Sequence, residues 1–204
     1  MKKLVIFDLD GTLLNTIADL AHSTNYALNK LGYPTHEIEK YNFMVGNGID
    51  KLFERALPEE EKSKENVLRV RKEFVPYYDI HNADDSRPYP GIPELLSYLQ
   101  DAGVQIAVAS NKYQTATQKL VDHYFPEIHF TAVFGQREGV KVKPDPIIVS
   151  DILEVAKVAK EEVLYVGDSG VDMQTAANAG VTACGVTWGF RPRTELEKFN
   201  PSYI

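Results

Sequence analysis

The chain opens with a short apolar strand that ends in two acids, and this junction constrains the fold more than any other feature. Residues 4–7 are apolar, and Asp8 and Asp10 follow directly, two positions apart. Two carboxylates at roughly 4 Å repel each other by about 4 kcal/mol at an effective dielectric constant near 20. A fold that brings several acids together needs a cation nearby, so the junction predicts a metal site at a strand end.

The hydrophobic pattern predicts two kinds of structure along the 204 residues. Apolar positions recur at helical spacing in three early segments, with Pro58 at the first position of the last helix; they are 17–31, 49–57 and 59–78. Strands and helices then alternate, with strands at 105–109, 129–134, 163–166 and 181–186 and helices at 113–124, 146–158 and 171–179. Such alternation indicates a parallel sheet with crossover helices.

We therefore predict an α/β protein with a parallel five-stranded sheet, helices on both faces and a small helical domain inserted after strand 1. The core would comprise residues 1–14 and 85–204, and the insertion would comprise residues 15–84. Three prolines between positions 88 and 93 remove backbone donors and stiffen the second connection. We predict a hinge at this connection.

Charge and hydropathy exclude several classes of partner. The formal net charge is −7 without a basic tract, which argues against nucleic acid and against an anionic membrane surface. No apolar run approaches the ~18 residues of a membrane span, and Asp8 ends the first apolar stretch too early for a signal peptide. We expect a cytoplasmic protein, as a monomer or a homodimer. The single cysteine, Cys184, lies in an apolar run and is expected in the core.

Polar residues follow the predicted strands, at the edge where open parallel sheets bind ligands. Besides Asp8 and Asp10, they are Ser110, Asn111 and Lys112 after the second predicted strand of the sheet, Lys143 before a helix, and Asp168 and Asp172 after the strand at 163–166. Acids, a hydroxyl group, a lysine and glycines at one sheet edge predict metal-assisted phosphoryl transfer.

Each acid has a predicted role in that chemistry. Asp8 would attack phosphorus and form an aspartyl phosphate, while Asp10 would protonate the leaving oxygen and then deprotonate the attacking water. A hard cation such as Mg²⁺ prefers oxygen ligands, which Asp8, the backbone carbonyl of Asp10 and Asp168 would supply. Asp172 would orient metal-bound water, or would only occupy the first turn of a helix.

The phosphoryl oxygens need donors and positive charge. Ser110, the Asn111 amide and Lys143 would hold them and would offset the charge of the carboxylates. Gly11, in the turn after Asp10, is also predicted to bind phosphate. Alone, Ser110 is equally explained as a helix N-cap, and Lys143 as a solvated surface charge.

These motifs, in this order, resemble those of the haloacid dehalogenase superfamily of phosphotransferases. The resemblance rests on Asp8 to Leu13, Ser110, Lys143 with Pro144, and residues 167–172. It implies a Rossmann-like core, a helical cap directly after the first motif, and Mg²⁺ as cofactor. The intact Asp10 implies a phosphatase or a phosphomutase. A departure is that Asn15 and Thr16 stand where such enzymes often have Asp and Ser.

Within the superfamily the chain looks most like phosphoglycolate phosphatases, through residues 45–49, 55–57, 110–112 and 185–189. The resemblance implies a hydrolase of a small phosphorylated metabolite. The cap turn of Gly46, Asn47 and Gly48 is expected either to contact substrate or simply to join two helices. Trp188 would lie at the pocket rim or in the core.

Two other functions remain open from the sequence. A phosphosugar mutase resembling β-phosphoglucomutase would use the same motifs and would differ in the group that accepts the phosphoryl. A receiver-type signalling domain also combines acids with a hydroxyl and a lysine. A receiver would lack the helical insertion and would place its phosphoacceptor on a later strand.

Overall fold

The computed structural model describes residues 1–204. In chain order its strands are β1 (Leu4–Phe7), β2 (Leu14–Asn15), β3 (Arg87–Pro88), β4 (Gln105–Tyr113), β5 (Ala132–Gln136), β6 (Val163–Gly167) and β7 (Thr182–Gly185). Its α-helices are α1 (Ile17–Lys30), α2 (Ile49–Ala56), α3 (Lys64–His81), α4 (Ile92–Asp101), α5 (Gln114–Tyr124), α6 (Ile147–Ala156), α7 (Gly170–Ala179) and α8 (Arg193–Glu197).

Five strands form one parallel sheet in the order β5-β4-β1-β6-β7, so the strand that leads to Asp8 is central. Along β1, Leu4 and Ile6 pack with α6 and α7, whereas Val5 and Phe7 pack with α4 and α5. Because side chains alternate along a strand, four consecutive apolar residues serve two cores. The predicted fold class, with a parallel five-stranded sheet and helices on both faces, is confirmed.

The chain between β2 and β3 is helical, as the resemblance implied for a cap. Helices α1, α2 and α3 share a core of 16 buried residues, among which only Ala116 belongs to the sheet domain. Aromatic contacts reinforce this core: the rings of Phe53 and Phe74 lie 5.0 Å apart, and those of Phe74 and Tyr78 lie 5.0 Å apart. The limits of the two domains, at 14/15 and 84/85, stay a prediction.

The two connections between cap and core run side by side. β2 pairs antiparallel with β3, with Leu14 opposite Pro88. Asp19 in the first turn of α1 accepts hydrogen bonds from the backbone amides of Asp85 at 2.9 Å and Ser86 at 2.8 Å. This carboxylate therefore ties the start of the cap to the returning chain, next to the proline-rich segment in which we predict a hinge.

The strand predicted at 105–109 is too short. β4 continues to Tyr113, with an irregularity in its pairing to β5 between Ala109 and Tyr113. Ser110, Asn111 and Lys112 thus lie within the strand, and all three are buried. Their polarity disguised the strand because a hydrophobic pattern does not recognise polar residues that are buried. Ser110 is consequently not a helix N-cap.

The predicted helix at 59–78 is also wrong at its start. Residues Glu59–Glu61 form a 3₁₀ turn, and α3 begins only after Ser63, whose hydroxyl accepts a hydrogen bond from the Asn66 amide at 3.1 Å. Ser is a preferred N-cap because its side chain satisfies a free amide of the first turn. Pro58 therefore precedes a turn rather than opening the helix.

Helices α4 and α8 were not predicted. α4 begins at Ile92, at the end of the proline-rich segment, with Pro93 in its first turn. Proline is tolerated there because the amides of the first turn make no hydrogen bond within the helix. The prolines suggested an irregular segment, but Arg87 and Pro88 form β3, and Pro93 lies within α4. β5 also lies later in the chain than the predicted strand at 129–134.

Two expectations from composition can be compared with the structure. Cys184 is half-buried beside the apolar cluster around β1, so it borders the core rather than lying fully inside it. No helix is long and apolar enough to cross a membrane.

Candidate active site

Acidic side chains from separate turns meet at the carboxyl end of the sheet. Asp8 follows β1, Asp168 follows β6, and Asp172 lies in the first turn of α7. All three residues are buried, and each offers an oxygen atom within 4.8 Å of the others. The structure thus brings together the acids that the sequence places after different strands.

Lys143 lies inside this acidic group. Its Nζ is 3.0 Å from Asp8 Oδ1 and 2.7 Å from Asp172 Oδ1, and it also donates to the Ala109 carbonyl at 2.9 Å. The side chain is only 1% exposed, so Lys143 is not a solvated surface charge. A buried lysine is stable when it is paired and hydrogen-bonded, as here.

Burial and mutual repulsion shift the pKa values of these groups. Burial raises the pKa of Asp8 well above its usual value, and Asp172 raises it further, whereas Lys143 lowers it. Burial and Asp172 likewise raise the pKa of Asp168 to about 7, against the opposing hydrogen bonds from the Phe190 amide and the Thr12 hydroxyl. Burial and the repulsion from Asp172 thus outweigh the effect of Lys143 on both acids.

Asp172 has a fully occupied carboxylate. Oδ2 accepts from the Ser169 amide at 3.1 Å and from its hydroxyl at 2.6 Å, which completes a capping box at the start of α7. Oδ1 accepts from Lys143 at 2.7 Å and from the Tyr165 hydroxyl at 3.3 Å. Asp172 therefore occupies the first turn of the helix and at the same time holds Lys143 in place.

The acidic group fits a hard divalent cation. The carboxylates of Asp8, Asp10, Asp168 and Asp172 outnumber the two lysines that contact them, Lys112 and Lys143, and leave a formal charge of −2. Carboxylate oxygens are the ligands that Mg²⁺ prefers. One divalent ion would balance the charge, with Asp8 and Asp168 as its side-chain ligands.

Asp10 has its own set of partners. Its Oδ1 accepts from the Thr16 hydroxyl at 2.6 Å and lies 3.1 Å from Lys112 Nζ. Lys112 Nζ also donates to the hydroxyl of Tyr78 in the cap, at 2.8 Å. Thr16, which departs from the common Asp-Ser pattern, is thus used to orient Asp10.

Asn111 joins three segments through its side chain. Its Nδ2 donates to the carbonyls of Gly46 at 3.0 Å and Lys143 at 3.1 Å, and its Oδ1 accepts from the Lys143 amide at 2.8 Å. The side-chain amide therefore positions the Lys143 loop and the cap turn. Only the backbone amide of Asn111 remains as a donor for phosphate, which stays a prediction.

A small cavity of about 50 Å³ lies between the cap and the acids. Asp8, Asp10, Ser110 and Lys112 line its floor, and Tyr78 lines one side. The cap contributes mainly apolar walls, formed by Leu20, Val45, Ile49, Leu52 and Phe74. A water molecule needs roughly 10–15 Å³ on this measure, so the cavity in this closed arrangement holds only a few small groups.

The cap turn reaches the cavity with two of its three residues. Gly46 and Gly48 line it, which favours the substrate-contacting interpretation over a plain helix connection. Asn47 does not line it, because its side-chain oxygen accepts a hydrogen bond from Arg55 at 2.6 Å. Arg55 also donates to the Met44 carbonyl at 2.7 Å, so it shapes the turn.

Gly11 does not have the geometry predicted for it. Its amide donates to the Leu14 carbonyl at 2.8 Å, so it is not available to a phosphate. Gly11 instead adopts a φ of +89° and packs against the Asp168 carboxylate, where a side chain would collide. Trp188 is 48% exposed, does not line the cavity, and donates to the Thr12 carbonyl at 3.1 Å.

Lys112 and Tyr78 were not predicted to act in the site. Lys112 stood beside two residues with predicted roles, but its partner Tyr78 is 34 positions away on α3. Only one signal was available: a lysine in an otherwise apolar strand pattern must be paired if it is buried.

Comparison with known proteins agrees with this geometry. The family model of haloacid dehalogenase-like hydrolases matches residues 5–186. The chain is 32% identical to the phosphoglycolate phosphatase of Vibrio parahaemolyticus, over 99% of this chain and 91% of the relative. It is 31% identical to the phosphoglycolate phosphatase of Mesorhizobium japonicum, over 100% of this chain and 90% of the relative.

Solved structures show the same architecture. The crystal structure of a predicted phosphoglycolate phosphatase from Haemophilus somnus superposes with a TM-score of 0.91 at 30% identity. The superposition covers 100% of this chain and 93% of the other. The arrangement of the sheet and the helical insertion is therefore shared with that protein.

Proposed function

The chain is a phosphatase of the haloacid dehalogenase-like hydrolase family, and we propose that it hydrolyses small phosphomonoesters with Mg²⁺ through an aspartyl phosphate on Asp8. The observation that carries the proposal is the meeting of Asp8, Asp168 and Lys143 beneath the cap. A nucleophile, a metal ligand and a phosphate-binding cation share one buried site.

Asp8 is held in position for attack on phosphorus. Its Oδ1 accepts from the Leu9 amide at 2.7 Å and contacts Lys143, so the side chain cannot rotate freely. A fixed orientation lowers the barrier because the reacting atoms need no further ordering. Mg²⁺, when bound, would screen the phosphate charge from the carboxylate and stabilise the developing charge.

Asp10 lies two residues further along, at the edge that faces the cap. In the first step it would give its proton to the leaving oxygen, and in the second it would take a proton from the water that attacks the aspartyl phosphate. Thr16 and Lys112 hold its carboxylate for both steps. Ser110, the Asn111 backbone amide and Lys143 would bind the phosphoryl oxygens.

The cavity favours a hydrolase of a small substrate over a sugar mutase. A sugar phosphate presents several hydroxyls that would need hydrogen-bonding partners, whereas the cap walls are mainly apolar. The curated relatives are named phosphoglycolate phosphatases, and a two-carbon substrate of that kind suits a small cavity. A receiver-type domain is disfavoured by the helical chain between β2 and β3.

The test is a panel of phosphorylated metabolites, assayed with and without Mg²⁺. It should contain phosphoglycolate, sugar phosphates, nucleotides and pyrophosphate, with both free phosphate and isomerised sugar phosphates measured as products. We expect free phosphate, dependence on Mg²⁺, and the highest kcat/KM for a small phosphomonoester. Isomerised sugar phosphate as the main product would contradict the proposal.

Asp8→Asn is the control for the covalent step. The amide is nearly isosteric but a poor nucleophile, so the variant should fold normally and lose essentially all hydrolysis. Circular dichroism and thermal unfolding establish the fold. Substantial turnover by the purified variant, after contaminating phosphatase is excluded, would refute the role of Asp8.

A further inference from the structure

We propose that Lys112 determines substrate specificity by binding an anionic group on the leaving-group side of the substrate. The preferred substrate would then be a small phosphomonoester that carries a carboxylate beside its phosphate ester. This proposal rests on the proposed phosphatase function and extends it to one residue. Lys112 is 4% exposed in its side chain, and it lines the cavity.

Lys112 supplies the positive charge of the cavity lining. Among the 14 residues that line the cavity, Lys112 is the only lysine or arginine. The cap contributes glycines, apolar side chains and the Tyr78 phenol, whose pKa burial raises well above its usual value, so it stays neutral. A substrate anion beneath the cap would therefore find its positive partner in Lys112.

Lys112 and Lys143 lie beside different acids of the site. Lys143 contacts Asp8 and Asp172, on the side where the phosphoryl group would be transferred. Lys112 contacts Asp10, the residue proposed to protonate the leaving oxygen, and Tyr78 of the cap. The two lysines are thus divided between the two halves of the substrate: Lys143 serves the phosphoryl group, and Lys112 serves the leaving group.

The ammonium group of Lys112 has more N–H donors than the protein uses. An ammonium group has three N–H donors; Lys112 donates one to the Tyr78 hydroxyl at 2.8 Å, and its Nζ lies at ion-pair distance, 3.1 Å, from Asp10 Oδ1. One donor is left for a ligand in the cavity.

The apolar cap walls would make this discrimination strong. A charge pair interacts more strongly away from water, and an unpaired buried charge is costly. A carboxylate opposite Lys112 is thus favoured, a neutral group leaves one N–H donor of the lysine without a charged partner, and an ammonium group is repelled. The expected order of substrates is acidic, then neutral, then basic.

A structural role for Lys112 makes a different prediction. If the lysine only ties Asp10 to Tyr78, its loss lowers the rate for every phosphomonoester by a similar factor. If Lys112 binds the substrate, its loss lowers the rate most for acidic substrates. The ratio of kcat/KM values between two substrates separates the two roles, because a common effect on Asp10 cancels in the ratio.

The experiment uses three two-carbon phosphomonoesters that differ mainly in the charge of the tail: phosphoglycolate, ethyl phosphate and phosphoethanolamine. The wild type should prefer phosphoglycolate over ethyl phosphate by about 10- to 100-fold in kcat/KM, as expected for a charged hydrogen-bonding partner. Lys112→Met should bring this ratio to within about threefold of one. Lys112→Arg keeps the charge and should retain part of the preference.

A matched control is Lys119→Met, which removes another lysine on the core side of the cap contact. Lys119 is exposed, donates to the Asp79 carbonyl and does not line the cavity. This variant should keep the wild-type ratio. Thermal unfolding of each variant establishes that the proteins compared are folded.

Binding gives a readout independent of turnover. In an Asp8→Asn background, calorimetry with phosphoglycolate and ethyl phosphate should show the same preference, and adding Lys112→Met should remove it. An equal loss for all three substrates, or an unchanged ratio in Lys112→Met, overturns the proposal while leaving the phosphatase function intact. Hydrolysis of none of the phosphomonoesters by the wild type would instead contradict the proposed function.

Discussion

Asp168→Asn separates the cost of burying this acid from its use in metal binding. The substitution keeps the shape of the side chain and removes its charge. An asparagine oxygen can still accept from the Phe190 amide, which lies 2.8 Å from Asp168 Oδ2. The Thr12 hydroxyl, at 3.2 Å from Oδ1, can rotate and accept from the new amide. Little hydrogen bonding is therefore lost.

The size of the effect follows from the pKa. Asp168 holds its proton up to about pH 7 in the folded protein, against an ordinary value of 3.8. Above pH 7 the folded metal-free protein therefore carries a penalty of about 4 kcal/mol, at about 1.4 kcal/mol per pKa unit. The asparagine makes a weaker hydrogen bond than the carboxylate, which reduces the gain in stability by about 1 kcal/mol. The metal-free variant should be more stable than wild type by about 3 kcal/mol at pH 8.

The pH dependence has a definite sign. Because the folded state of the wild type binds the proton more tightly than the unfolded state, this group stabilises the metal-free protein as the pH falls through 7 towards 3.8. The advantage of Asp168→Asn should therefore be largest at pH 8 and fall to about half at pH 5.5. Below the unfolded pKa it should disappear.

Thermal unfolding in EDTA and in Mg²⁺ measures the effect. For a chain of this length about 3 kcal/mol corresponds to roughly 6–12 °C in Tm. In EDTA at pH 8 the variant should melt higher than wild type by this amount, whereas Mg²⁺ should raise the Tm of the wild type much more than that of the variant. Asp50→Asn is the control, because its carboxylate is 52% exposed and pairs only with Arg71.

Two results would refute this reasoning. A metal-free Asp168→Asn protein that melts below wild type at pH 8 would show that the buried charge of Asp168 does not destabilise the folded protein. An equal gain in Tm from Mg²⁺ in both proteins would show that Asp168 is not a metal ligand.

Two further substitutions test how the site is supported. Gly189→Ala would place a methyl group against the side chain of Asp168, so we expect a loss of about 1–3 kcal/mol in unfolding free energy and weaker Mg²⁺ binding by calorimetry. Unchanged affinity would contradict this. Asn111→Ala removes the bonds to Gly46 and Lys143 and should cost about 1–3 kcal/mol in stability, with a raised KM and faster proteolysis of the cap turn. A wild-type KM and cleavage rate would exclude a role in positioning the turn.

The sequence predicts the sheet and most of the acidic group for a physical reason. Parallel strands all end at the same edge, so polar residues that follow them meet there whatever the helices do. Asp8 and Asp168 depend only on that rule, and both lie where it places them. Helix and strand periodicity was likewise sufficient for the five strands of the sheet and for the helices other than α4 and α8, because buried faces repeat regularly.

The remainder of the site depends on contacts that no local pattern contains. Tyr78 of the cap contacts Lys112 and helps to bury it. Asp168, which follows another strand, lies so close to Gly11 that no side chain would fit there. Polar residues inside β4 broke the strand pattern for the same reason: their burial is offset by partners elsewhere in the chain. Prediction therefore fails where function replaces apolar residues with paired polar ones.

The distribution of charge explains why the site contains two lysines in separate positions. Asp172 accepts hydrogen bonds at both of its oxygens, so Lys143 is fixed against it and cannot move towards Asp10. Asp10 consequently depends on Lys112, which also contacts the cap through Tyr78. Opening of the cap would remove one partner of Lys112 and expose Asp10 to water at the same time. Closure over the substrate would thus restore the environment of the proposed acid, which links the position of the cap to Asp10.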